Sequence, residues 1–111
     1  MTLQQLPTDR WPTYFDELSA RMHGLQVDIE VAGFDIGDQM RANHAQLKGI
    51  IYDLDDSVLQ IAVEGYLHVL ADPQVIAIDI EGERVRSIAA TDRQGRTHEV
   101  RFRKPLAHLG S

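Results

Sequence analysis

The chain contains no cysteine. That excludes disulfide staples, thiolate chemistry, iron–sulfur clusters and cysteine zinc sites. Aromatic residues make up only 6% of it, and the expected strands carry only Tyr52 and Phe102, core-facing or singly placed, where sheets that bind single-stranded RNA present an exposed aromatic face for stacking. No apolar run approaches the roughly 20 residues a membrane-spanning helix needs. The opening MTLQQLPTDRW has neither the basic start nor the apolar stretch of a signal peptide. A protein of the reducing cytoplasm, without membrane association, is the expectation.

Basic residues are scarce over most of the length. Residues 1–83 hold Arg10, Arg21, Arg41 and Lys48 against fifteen acids, a balance of −11. Residues 84–104 reverse this, with seven basic residues against Asp92 and Glu99, a balance of +5. The net charge of −6 argues against general nucleic-acid binding. The basic segment reads as an edge hairpin lying beside acidic strands, since charge on an edge blocks aggregation. Its Arg84, Arg86, Arg101 and Arg103 are the candidates for binding an anion or a partner, with weak single-stranded nucleic-acid binding as a further alternative.

What is present suits one ordinary globular domain spanning residues 1–111, with 43% apolar and 25% charged residues. A chain of this length buries enough surface to fold without a metal or cross-link. The spacing of Trp11, Phe15, Leu18 and Met22, widened by Tyr14, predicts an amphipathic helix over 9–23, with Asp9 as N-cap and Gly24 as stop. The period then changes to two. Strands are expected over 25–32, 47–53, 58–64, 75–81, 85–91 and 97–103. AGFDIGDQMRANHAQ between the first two is either a long connection or an irregular strand through Met40 and Ala42. Connections this short join antiparallel neighbours. The expected fold is α+β: one helix followed by a curled antiparallel meander or small barrel of about six strands.

Chemistry-bearing motifs are few. The five histidines, at 23, 44, 68, 98 and 108, show no one-turn helical pair of the zinc type. DLDDS at 53–57 lacks the glycine and closing glutamate of a calcium loop and reads as an acidic hairpin turn. Asp35 and Asp38 in FDIGDQ suit a turn as well as a carboxylate pair. None of Ser19, Ser57, Ser87 and Ser111 sits in a glycine-flanked nucleophile elbow. Gly33-Phe-Asp-Ile-Gly37 lacks the lysine of a phosphate loop. No metal, cofactor or catalytic residue is therefore assigned.

The stretch EGYLHVLADPQVIAID reads as a connector between core strands. Gly65 releases one strand, Leu67 and Leu70 face the core from a loop or single helical turn, and Asp72-Pro73 returns the chain to β. His68 ties the corner down in this reading. The alternative is a small-ligand or enzymatic site in which Tyr66, His68, Asp72 and His44 surround a cleft, with imidazole and carboxylate as acid and base.

Several segments together resemble a bacterial family known only as domain of unknown function 5335. They are RWPTYFDELSARMHG followed by QVDIEV, LKGIIYD with VLQIAVE, HVLADPQVIAID, and DRQGRTHEVRF. Trp11 with Phe15, Leu47 with Gly49, and His68 with Pro73 carry most of the likeness. The resemblance implies a bacterial protein and an architecture, and it implies no activity. The functional expectation is a non-enzymatic interaction or assembly module, acting on a protein partner or on itself.

Overall fold

Alternating apolar residues make most of this chain β, and glycines together with Ser57 and Asp72, all at left-handed φ, let the strands reverse within a few residues. The computed structural model describes residues 2–21 and 25–107. Its strands are β1 (Thr2–Gln5), β2 (Gln26–Gly33), β3 (Gly37–Asp53), β4 (Val58–Val63), β5 (Tyr66–Ala71), β6 (Val75–Glu81), β7 (Arg84–Thr91) and β8 (Thr97–Ala107). A 3-10 turn (Thr8–Arg10) leads into the one helix among the described residues, α1 (Trp11–Ser19). All strand pairings are antiparallel, and the order across the sheet is β1-β6-β7-β8-β2-β3-β4-β5.

The expected six-stranded α+β fold is corrected by this arrangement. Among the described residues strand predominates, eight strands form one unclosed antiparallel sheet, and the helical segment spans only 12 residues. β1 has no counterpart in the expectation, and β5 replaces the expected loop or helical turn. Residues 37–46 are the first half of a 17-residue strand. The helix stops at Ser19 and is followed by a turn at Ala20 and Arg21; Met22 and Gly24 of the expected helix lie outside the described residues. The basic hairpin is not an edge either. β7 and β8 are central, and the edges are β1 and β5.

Register shows why β3 is hard to read. Val27 pairs with Ala45 but Ile29 pairs with Ala42, and Glu30 then pairs with Met40. Each step places an extra residue on β3, so its side chains change face twice. His44 takes a left-handed φ of 52° within the first of these bulges, and its freed amide donates to Asp28 Oδ1 at 2.9 Å. The first half of β3 pairs with β2 and the second half with β4.

The sheet curls strongly. β2, β3 and β4 separate β8 from β5, so a flat sheet would hold those two about 19 Å apart. Yet the ring nitrogens of His68 on β5 and His98 on β8 lie 2.8 Å apart. The concave face buries Val27, Ile29, Ile50, Ile61, Ile76 and Val100 together with Tyr14, Phe15 and Leu18 of α1. α1 packs on β3 and is fastened there by Ser19. Its Oγ donates to the Ile50 carbonyl at 2.7 Å and accepts from the Ile50 amide at 3.0 Å. Ser19→Ala strips both peptide groups of that partner and should lower stability by about 1–3 kcal/mol. Urea unfolding measures the loss, and an unchanged midpoint would show that the hydroxyl is dispensable.

Candidate functional site

Tyr66 and His68 stand two residues apart on β5 and so point to the same face. His98 points inward from β8, in register with Ala90 and Val31. Asp92 opens the turn between β7 and β8, where Gly95 adopts a φ of 82°. These elements bring four side chains into one line. Tyr66 Oη lies 2.7 Å from His68 Nδ1, His68 Nε2 lies 2.8 Å from His98 Nδ1, and His98 Nε2 lies 2.9 Å from Asp92 Oδ2. The other carboxylate oxygen of Asp92 accepts the amides of Gln94 and Arg96 at 2.9 and 3.0 Å.

Proton positions follow from this chain. Burial works to raise the Asp92 pKa, but the bonds from His98 and from the Arg96 and Gln94 amides outweigh it and hold the carboxyl below its usual range. As a carboxylate it only accepts, so His98 Nε2 carries a hydrogen. With His98 neutral, its Nδ1 accepts from His68 Nε2, and His68 Nδ1 then accepts the Tyr66 hydroxyl. Burial, followed by the charges of His98 and Arg41, pushes the His68 pKa down to about 4, which keeps that ring neutral near pH 7. All four internal nitrogens are used within the chain, and only the Tyr66 hydroxyl lies at an open end. Among the described residues no group of three or more His, Asp or Glu side chains could hold a metal ion.

A cleft of about 360 Å³ lies beside the chain. Residues 69–72 of β5 and its end form one wall, and Asp92, Arg93, Gln94, Arg96 and His98 form the other. Asp72 is there, with its carboxylate 3.8 Å from Arg93. Of the residues singled out in the sequence, Asp72 lines this cleft, whereas Tyr66 and His68 belong to the hydrogen-bonded line and not to the cleft lining. His44 does not belong to that cleft lining; it is an exposed residue of the β3 bulge. His98 and Asp92 join the site without any motif to mark them. Thirty residues separate His98 from His68, and no local spacing links them. The available signal is the alternation in THEVRF, which puts His98 on the inner face with Val100 and Phe102.

The acidic turns make contacts of their own. Asp53 Oδ1 accepts the amides of Asp55 and Asp56, and Asp35 pairs with Arg96 between two hairpin tips. The basic candidates divide. Arg84, Arg86 and Arg103 line a second cleft of about 400 Å³ with Glu81 and Phe102. Arg101 does not line it and pairs with Glu99.

The two edges differ. β1 is four residues long and presents Leu3, Gln4 and Gln5. β5 reads YLHVLA, without charge or proline, and among the described residues no strand covers its outer side. Its outward Leu67 and Val69 are each 51% exposed. Registered beside them are Ala62 and Gln60 of β4 and then Gly49 and Ile51 of β3, so apolar surface continues inward from the edge with Gln60 as its polar member. No helix among the described residues is long and apolar enough to cross a membrane.

Comparison with known proteins adds kinship without an activity. An uncharacterized protein of the bacterium Aquifex aeolicus (strain VF5) is 30% identical over 107 residues, 96% of each chain. No solved structure matches the chain. The sequence pattern of a family of unknown function, DUF5335, matches residues 2–109, nearly the whole length, and the chain belongs to that family.

Proposed function

We propose that this protein is a non-enzymatic assembly module of the bacterial cytoplasm that joins a second copy of itself through β5. The observation that carries this reading is the unguarded edge: six uncharged residues whose outer side pairs with no strand among the described residues, bordered by apolar surface. Natural sheets commonly protect such edges with lysine, proline or a bulge, and β5 has none of these within it. A two-fold axis perpendicular to the sheet pairs antiparallel strands so that odd residues meet odd residues. Leu67, Val69 and Ala71 of one copy then face the same three of the other, which is apolar self-complementarity.

The hydrogen-bonded chain supports this reading in a different way. It engages both nitrogens of His68 and of His98 internally, so neither ring has a free nitrogen with which to serve a substrate. Its effect is to tie the edge strand to the β7–β8 turn. A chain without cysteine suits the reducing cytoplasm.

Light scattering tests the proposal across concentration and salt. The wild type should show twice the monomer mass and keep it in high salt, because apolar and backbone pairing is little screened. Val69→Lys, at a position half open to solvent, should fold and remain monomeric. A monomeric wild type at every concentration and ionic strength would sink the proposal, as would a Val69→Lys dimer as tight as the wild type. Association that dissolves in salt would instead assign assembly to the opposed charges of the two parts of the chain.

A further inference from the structure

We infer that the cleft formed by Arg84, Arg86, Arg103, Glu81 and Phe102 binds a small phosphate-bearing molecule. This site lies apart from β5, and the inference does not rest on self-association. The chain as a whole carries −6, yet this cleft gathers three guanidinium groups against two carboxylates, Glu81 in its lining and Asp28 behind Arg103. A smaller cleft of about 260 Å³ adjoins through the shared Arg103 and adds Lys104, with Leu25 and Gln26. Positive charge thus converges on one concavity of an acidic protein.

Two of the arginines are held in place. Arg86 Nη1 donates to Glu81 Oε2 at 2.6 Å. Arg103 Nη2 donates to Asp28 Oδ1 at 3.2 Å and to Asn43 Oδ1 at 3.3 Å. Burial works to raise the Asp28 pKa, but the His44 amide and then the Arg103 charge and hydrogen bond hold that carboxyl below its usual range. The anchor for Arg103 therefore stays charged. Each guanidinium has five N–H donors in a planar fork, so these contacts leave donors free for a ligand. Arg84 has no carboxylate within ion-pair distance among the described residues.

The chemistry of the donors selects the ligand. Arginine forks match the tetrahedral oxygens of phosphate, which accept paired hydrogen bonds. A volume of about 400 Å³ is at the small-molecule scale. The acidic remainder of the protein repels a long polyanion, so a compact phosphate is favoured over nucleic acid. Phe102 contributes an apolar wall for the rest of such a molecule.

The test uses inorganic pyrophosphate as the probe, with sodium chloride at matched ionic strength as the control, and reads both calorimetry and thermal unfolding of the full chain. Pyrophosphate should bind saturably and raise the unfolding temperature, whereas chloride should not. Arg84→Gln, which breaks no ion pair among the described residues, should weaken binding at least tenfold without lowering stability. Arg10→Gln, outside the cleft lining, should bind as the wild type does. Vesicles of phosphatidylcholine with and without phosphatidic acid distinguish the source of the phosphate. Vesicle binding that needs phosphatidic acid and Arg84 supports the same site with a lipid source, and pyrophosphate binding alone supports a soluble one. Absence of saturable binding to both probes, an equal effect of chloride, or full affinity in Arg84→Gln would overturn the inference.

Discussion

Acidification from pH 6.5 to about 4 should cost the folded protein on the order of 3 kcal/mol, and His68→Leu should remove most of that dependence. His68 is only 5% exposed, and its pKa falls from 6.5 to about 4 because burial, with the charges of His98 and Arg41, disfavours the cation. Across that window the unfolded chain binds a proton at this histidine and the folded chain does not. Stability therefore rises with pH through the window, is complete above it, and is lost as pH falls toward about 4. Each tenfold difference in proton affinity between the two states corresponds to about 1.4 kcal/mol.

The groups with depressed carboxylate pKa values, Asp28, Asp35 and Asp92, act at lower pH. Their stabilisation is lost below the ordinary value of 3.8, so they do not confuse the test. His68→Leu also leaves the Nδ1 of His98 without its donor and should lower stability near neutrality by about 1–3 kcal/mol. The diagnostic result is the slope of unfolding free energy against pH, not the loss itself. An equally steep slope in the variant would assign the acid response to other groups.

Trp11→Ala should be at least as costly, by about 3–5 kcal/mol. Trp11 is 3% exposed and joins three parts of the molecule. Its indole N–H donates to the Leu6 carbonyl at 3.0 Å, and Leu6 in turn donates its amide to the Ile76 carbonyl of β6 at 2.8 Å. Its ring meets Tyr52 of β3 edge to face, with centroids 5.2 Å apart. Alanine therefore opens a cavity and frees the lead-in segment and the helix start at once. Trp11→Phe keeps much of the packing but loses the hydrogen bond, so it should fall between the two. Urea midpoints order the three proteins, and an alanine variant close to the wild type would show that the helix is not a core element.

Parts of the chain announce this structure and parts conceal it. In β2 and β8 apolar residues alternate with polar ones, and that contrast is visible in the sequence; in β4 and β6 it rests on Gln60, Asp79 and Glu81 alone. β3 loses its period because the two bulges before Ala45 reverse the faces. β5 has no contrast to read, since outward Leu67 and Val69 are as apolar as inward Leu70. The same lack of contrast that exposes the edge makes YLHVLA look like a corner. Gly65 and Asp72-Pro73 do punctuate it as the sequence suggests, with Gly65 at a φ of 80° and Asp72 at 52°, but the six residues between them are extended.

The site is legible in the same partial way. Tyr66 and His68 are two apart, the spacing that puts strand side chains on one face, and their contact follows from β structure alone. Their link to His98 and Asp92 depends on the curl of the whole sheet, which no local pattern encodes. The basic segment is plain in the charge distribution, whereas its central position is not. Sheet order departs from chain order where β8 pairs with β2, and that pairing places β7 and β8 inside the sheet.

The proposed assembly through β5 is most directly tested by amide hydrogen exchange along that strand in dilute and concentrated solution. Outward-directed amides of β5 should exchange progressively more slowly as concentration rises, while those of β1, the other edge, stay unchanged. Val69→Lys should abolish the effect. Exchange along β5 that is the same at every concentration, or protection that develops on β1 instead, would contradict assembly through this strand.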